Sequence, residues 1–205
     1  MAILRSDRPK PPVHMISRPA LCIVAQGAKW ATFGTNQLEY RAGQALVVGI
    51  ETPSVGRVFE ASPGQPCLVL ALELDLGIIR SVIEELEDPP VLAGDPGCGV
   101  WVADIGGPLT DCAVRLVRLM DTPKAIRMVY PLIIREICYW LLAGPKGGEV
   151  ARLALASPSQ GVIAAMHRLR MNFRTPMKIE DLADVAQADV PGRHECRERG
   201  LHGGL

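Results

Sequence analysis

Cys67-Leu-Val-Leu-Ala-Leu-Glu-Leu74 is the longest strand-like run in the chain, and its reading decides the first half of the fold. Its centre is apolar on both sides, and only Leu72-Glu73-Leu74-Asp75 alternates. A strand covered on both faces has this pattern. Upstream, Leu21-Cys-Ile-Val-Ala25 and Ala45-Leu-Val-Val-Gly-Ile50 are compact apolar runs of the same kind. Shorter runs lie between and after them, at Trp30 to Phe33, Gln37 to Arg41 and Val55 to Glu60. Gln26-Gly27, Gly34-Thr-Asn36, Ala42-Gly43, Thr52-Pro53 and Ser62-Pro63-Gly64 separate the runs. Short strands broken by Gly and Pro every 8–12 residues or so predict an antiparallel sandwich or barrel. A βαβ chain would need helical stretches of about 10–15 residues between strands, and none fits before residue 75. Residues 1–20 carry Pro9, Pro11, Pro12 and Pro19, which favours an extended arm or a first edge strand.

Beyond residue 75 the period changes. Gly77 to Leu86 places Ile79, Val82, Ile83 and Leu86 on one helical face. After the glycine-rich loop 94–99, Val100-Trp-Val-Ala-Asp104 supplies one more strand. From Pro108 the chain is helical. Leu109 to Met120 puts Leu109, Cys112, Ala113, Leu116 and Met120 on one side. Ile126 to Leu142 follows, and Gly144-Pro145 stops it. This second helix is apolar on more than one face, with Leu132, Ile134 and Tyr139 added to Ile126, Val129, Ile133, Ile137, Trp140 and Leu141. One face can cover the sheets. The remainder calls for a second copy in a homodimer, or for residues 149–187 of the same chain. Residues 146–159 read as a linker, with a short helix possible from Glu149 to Ala156. Val162, Met166, Leu169 and Phe173 then define an amphipathic helix, and Ile179, Leu182, Ala183 and Ala186 a second one. The predicted fold class is therefore α+β.

Composition narrows the function. Among 205 residues, 22 Lys and Arg balance 22 Asp and Glu, so the whole chain gives no electrostatic support for gripping phosphate. The six cysteines include no C-x-x-C pair, and the start lacks the apolar stretch of a signal peptide. Free thiols in a reducing cytoplasmic setting are expected. No charge-free apolar run is long enough for a membrane span. Residues 21–75 contain no histidine, so a transition-metal site is not expected there. Neither G-x-G-x-x-G nor G-x-x-x-x-G-K-S/T occurs. No nucleophile has a readable base partner, so neither enzyme activity nor a cofactor is expected.

Several stretches carry a resemblance: Cys22-Ile-Val-Ala-Gln-Gly-Ala-Lys29, Leu46-Val-Val48 with Thr52-Pro53, Ala61-Ser62, and Leu70-Ala-Leu-Glu-Leu-Asp75. Arg118-Leu-Met-Asp-Thr-Pro123 and Pro131 to Pro145 continue it. Over residues 10–189 the chain resembles AraC/XylS-family transcriptional regulators, of the subgroup with an AraC-type N-terminal domain. The resemblance implies a cupin-like effector and dimerization domain with a helical hairpin over 10–145. It implies a linker over 146–159 and a partial helix-turn-helix over 160–190. It breaks where a recognition helix belongs, because Arg193 and Arg197 stand at the positions of two buried aromatics. A tail over 191–205, disordered and no longer able to read DNA, is the expectation. The function implied is a DNA-binding regulator sensing a small molecule, DNA-binding-defective in this truncated form. The alternative is a stand-alone effector-binding or dimerization module. Trp30, Phe33, Tyr40 and Phe59 are candidates for the effector pocket, or else core aromatics. Arg168, Arg170, Arg174 and Lys178 are candidate phosphate contacts, or else a solvated face. Buried cysteines read as packing residues.

Overall fold

A computed structural model describes residues 1–92 and 99–155, together with Arg168, Asp181, Leu182 and Asp184. The chain divides between Leu155 and Ala156 into two units. The helical pair at 160–187, Arg170, Arg174, Lys178 and the tail 191–205 otherwise lie outside the described residues. Arg168 is helical and exposed; Asp181, Leu182 and Asp184 are helical, with Leu182 half-buried.

The first unit contains nine strands: β1 (Ala2–Ser6), β2 (Val13–Ser17), β3 (Ala20–Gln26), β4 (Ala28–Phe33), β5 (Asn36–Arg41), β6 (Gln44–Val48), β7 (Thr52–Glu60), β8 (Cys67–Glu73) and β9 (Val100–Asp104). They form a five-stranded sheet, β1-β8-β3-β6-β9, and a four-stranded sheet, β2-β7-β4-β5. Every pairing is antiparallel. The architecture is the predicted α+β, with two antiparallel sheets that are not closed into a barrel. The β-domain begins earlier than residue 10, because β1 pairs with β8 from Ala2 onward. β7 also begins earlier than Val55. Pro53 is tolerated because it lies opposite Ile16 of β2, while pairing to β4 starts only at Val55. At that end the missing N–H interrupts no second ladder.

The five-stranded sheet is covered on both faces, as the Cys67–Leu74 run requires. Leu21, Ile23, Ala45, Val47, Leu70, Leu72 and Trp101 face the helices. Val24, Leu46, Val48, Cys67, Val69 and Val100 alternate with them and face the other sheet, where Ala31, Phe33 and Tyr40 meet them. Gly27 makes the passage from β3 to β4 possible. Its φ is +79°, and a Cβ there would stand 2.5 Å from the Glu60 carbonyl oxygen and 2.9 Å from Cys67 Cα.

Four helices cover the outer face: α1 (Leu76–Glu85), α2 (Gly107–Arg118), α3 (Pro123–Ala143) and α4 (Gly147–Leu155). Asp75 starts α1 by accepting from the Gly77 and Ile78 amides at 2.8 and 3.4 Å. α2 ends two residues before the sequence pattern does. A 3-10 turn over Leu119–Asp121 rotates Met120 out to 49% exposure, although Cys112 and Leu116 are buried as expected. α3 runs through Pro131, which is exposed. Burial of Ile133, Ile134, Ile137, Cys138, Leu141 and Leu142 offsets the lost backbone bond. The short helix possible from Glu149 is α4, which starts at Gly147 and whose Val150, Ala151 and Ala154 join the core. Three small or branched apolar side chains at helical spacing explain why it docks.

Candidate effector site

The charged side chain placed toward the inter-sheet layer is Lys29. On β4, Ala31 and Phe33 point into this layer, so the two-residue period points Lys29 the same way. Lys29 lies opposite Tyr40 of β5, with its Nζ 5.9 Å from the Tyr40 ring centroid. At that range a cation interacts with the ring face. Among the described residues Lys29 forms no salt bridge. Cys22 and Cys67 share the layer, and burial raises both thiols above their ordinary range. The Lys29 charge opposes that rise at both. Burial also raises the Tyr40 hydroxyl, which stays protonated and neutral. The layer is thus a packed apolar core with the half-buried Lys29 ammonium beside it.

The four aromatic candidates do not converge. Phe33 and Tyr40 are 8% and 3% exposed and lie in the inter-sheet core. Trp30 is one residue out of phase and lies opposite Arg57 and Glu39 on the other face. Phe59 is the extra residue of a bulge, since Lys29 pairs with Val58 and Ala28 with Glu60. It follows the inward-facing Val58 and turns away. The Arg57 Nε on that outer face is buried without a hydrogen-bond partner. Lys29 was not among the sequence candidates, although its phase relative to Phe33 was available. The missing signal was that Phe33, rather than Trp30, faces inward.

Three surface depressions lie outside this layer. One of about 450 Å³ lies by β2 and the start of β7, lined by Met15, Ile16, Pro53 and Val55 among others. The other two flank α3. A groove of about 520 Å³ includes Arg115, Glu136 and Trp140, and one of about 410 Å³ includes Val82, Leu132 and Tyr139. Arg115 bridges to Glu136, and Trp140 Nε1 donates to the same carboxylate at 3.4 Å. Across the second groove Arg135 donates to Ser81 Oγ at 2.9 Å and pairs with Glu85 at 2.6 Å. Both sets are partly exposed and fasten α3 to α2 and α1. Among the described residues, no group of three or more His, Cys, Asp or Glu is placed to hold a metal ion. No described helix is long and apolar enough to cross a membrane.

Comparison with known proteins bears on this arrangement at two levels. An apo lysine-to-alanine variant of ToxT from Vibrio cholerae has a similar fold, with TM-score 0.54 and 8% identity over 88% of this chain and 68% of that one. Wild-type ToxT from the same organism, with an unsaturated fatty acid bound, gives TM-score 0.56 and 7% identity over 88% and 66%. At such identities the likeness is one of fold. No curated protein matches in sequence. Residues 1–149 match the family described as the AraC-type transcriptional regulator N-terminus. That match covers both sheets and the helices α1 to α3, and the chain belongs to this family of regulator domains.

Proposed function

We propose that the first unit is the sensing part of a transcriptional regulator, and that it binds a small apolar molecule with an anionic group between the two sheets. The anion sits at the Lys29 ammonium and the apolar body lies along Phe33, Ala31 and Val69. The observation that carries this reading is the inward-facing lysine, which forms no ion pair among the described residues. A partly buried cation is costly unless something balances it, and a ligand carboxylate would. The unsaturated fatty acid bound to wild-type ToxT supports the same ligand class. The reading is of a regulator and not an enzyme. The four described cysteines are free thiols, which suits a cytoplasmic setting.

The test is thermal unfolding with and without palmitoleate, a monounsaturated 16-carbon carboxylate. Ligand at about 100 times its Kd stabilises the folded state by about 2.7 kcal/mol. Lys29→Met should lose most of that gain and retain the unliganded melting temperature. An equal gain in both proteins would refute the role of Lys29.

Two further parts of the reading concern partners. Ile126, Met128, Val129 and Leu132 are 39%, 72%, 36% and 65% exposed, so one face of the first half of α3 is left largely uncovered by the described residues of its unit. A homodimer through this face is the reading they favour, and sedimentation equilibrium at tens of micromolar tests it. A single species at 22.1 kDa would refute it. DNA contact belongs to the second unit, where Arg168, Arg170, Arg174 and Lys178 would touch phosphates weakly. With Arg193 and Arg197 where a recognition helix needs apolar anchors, specific binding is weak or absent. The chain then acts as an effector-binding or dimerization module. A mobility shift on its own promoter at submicromolar protein would overturn that part.

A further inference from the structure

Among the described residues, no helix covers the outer face of the four-stranded sheet. The core beneath the helices takes residues from β3, β6, β8 and β9, and none from β2, β4, β5 or β7. On β4, Ala31 and Phe33 point inward, so Trp30 and Thr32 point outward. The strand register then lays out the outer face in three rows. Arg57, Trp30 and Glu39 stand side by side on β7, β4 and β5. His14, Val55, Thr32 and Gln37 form the next row, and Ile16 and Pro53 the third. The depression of about 450 Å³ lies over the last two rows, where Ile16, Thr32, Gly34, Pro53 and Val55 contribute to its lining. Ile16 is 59% exposed, and Pro53 is exposed beside it. Trp30 and Val55 are half-buried and belong to neither core.

Two opposite charges flank Trp30. The Arg57 Nε is buried and without a hydrogen-bond partner, and no described carboxylate pairs with the guanidinium. Glu39, exposed on the far side of Trp30, takes part in none of the described salt bridges either. A guanidinium shielded from water and left unpaired is costly, and a carboxylate brought from outside would offset that cost. Two strand spacings separate Arg57 from Glu39, roughly 10 Å. An α-helix is about 10–12 Å across, so one seated over Trp30 has its flanks above these two charges. The size of the face also selects the occupant. Four strands and three rows span roughly 14 by 13 Å, on the order of 200–400 Å² with side chains. A stable dimer buries about 800 Å² on each copy, more than this face supplies. Three turns of helix, about 16 Å long, match it.

We infer that the outer face of the four-stranded sheet is a docking site for an amphipathic helix of another protein, with a carboxylate on the flank above Arg57 and a basic side chain on the flank above Glu39. Its apolar stripe lies on Trp30 and Val55 and ends in the depression beside Ile16 and Pro53. The inference does not rest on the effector reading, which concerns the opposite face of the same sheet. The probe is a synthetic helix of about 15 residues, with leucines along one stripe, glutamates on one flank and lysines on the other. It is titrated into the full chain and followed by amide and indole NMR shifts. Shifts should gather on Trp30, Thr32, Val55 and Arg57. A peptide with glutamine in place of each glutamate should bind about tenfold more weakly. That change leaves the protein untouched, so its folding cannot enter the result. Arg57→Gln should weaken the original peptide by a similar factor, and Arg57→Glu should prefer a peptide with lysines on both flanks. Ile16→Asp should weaken binding at the apolar end while leaving the melting temperature unchanged, because Ile16 stands mostly in water. Shifts confined to α3, no binding at millimolar peptide, or equal affinity for the glutamate and glutamine peptides would overturn the proposal. Concentration-dependent shifts of the same residues without peptide would overturn it in favour of a second copy.

Discussion

Gly147→Ala should loosen one helix and little else. The methyl carbon of the alanine would lie 1.8 Å from the Leu142 carbonyl oxygen and 2.8 Å from its carbon. A carbon–oxygen contact relaxes only near about 3.3 Å, so the gap must widen by roughly 1.5 Å. Both neighbours are backbone, in the last turn of α3, and cannot swing aside as a side chain would. Overpacking of this kind costs about 1–3 kcal/mol. The chain has a second response, which is to undock α4. That exposes Val150, Ala151 and Ala154, now 2%, 1% and 0% exposed. One valine and two methyl groups returned to water cost roughly 3 kcal/mol. The cheaper response sets the loss, so the expected destabilisation is about 1–3 kcal/mol with a ceiling near the upper figure. Urea unfolding followed by circular dichroism measures it, and amide exchange locates it. Exchange should accelerate in α4 before it does in α1 or α3. Gly107→Ala is the matched control, because a Cβ there meets nothing within 4 Å. It should be neutral or gain about 0.4–1 kcal/mol. The reasoning fails if Gly147→Ala is as stable as Gly107→Ala, or if exchange quickens evenly over all four helices.

Asp75→Ala removes the side chain that caps α1 and should cost about 1 kcal/mol in urea unfolding, with Asp75→Asn recovering most of it. Ile137→Ala, at a site only 1% exposed between α3 and the sheet, should cost about 2–5 kcal/mol, and a loss below about 1 kcal/mol would mean that α3 is not seated as described. Cys138 is buried, and burial pushes its thiol up to about 11, so a thiol reagent should not label it in the native state at about pH 8 but should after unfolding. The hydrogen bond from Arg115 holds the Glu136 carboxyl below its ordinary range. This contribution is present above the unfolded carboxylate value of about 4.3 and is lost as pH falls through the lower folded value. The pair is partly exposed, so the effect is small and screened by salt. Arg115→Met should flatten the acid side of the stability profile, and an unchanged profile would refute the link.

Hydrophobic period made most of the fold legible. The double-faced apolar runs of β3, β6 and β8 predicted a sheet covered on both sides, and helices occupy the second side. Less legible were features set by local geometry. The 3-10 turn that exposes Met120 leaves no mark in the periodicity, and α4, legible as a short helix from Glu149, starts two residues earlier because Gly147 and Gly148 suggested a break. At Gly147 the missing side chain instead permits the close approach to Leu142. The layer between the sheets was only half legible. Aromatic type suggested Trp30, Phe33, Tyr40 and Phe59, but residue type carries no phase. The bulge at Ala28/Lys29 shifts the β7 register and leaves Phe59 outside, and such an insertion is invisible until the strands are paired.

The alternation within the five-stranded sheet also bears on which substitutions the chain can tolerate. Leu21, Ile23, Ala45 and Val47 belong to the helical layer, and their neighbours Val24, Leu46 and Val48 to the layer between the sheets. Successive residues there answer to different packing partners, and neither face of those strands is open to water. A polar side chain placed at almost any of these positions has nowhere solvated to go. β5 is built otherwise, with exposed Gln37, Glu39 and Arg41 alternating with Leu38 and Tyr40. Sequence drift in relatives should therefore gather on every second residue of β5, while β3 and β6 exchange only apolar residues of similar volume.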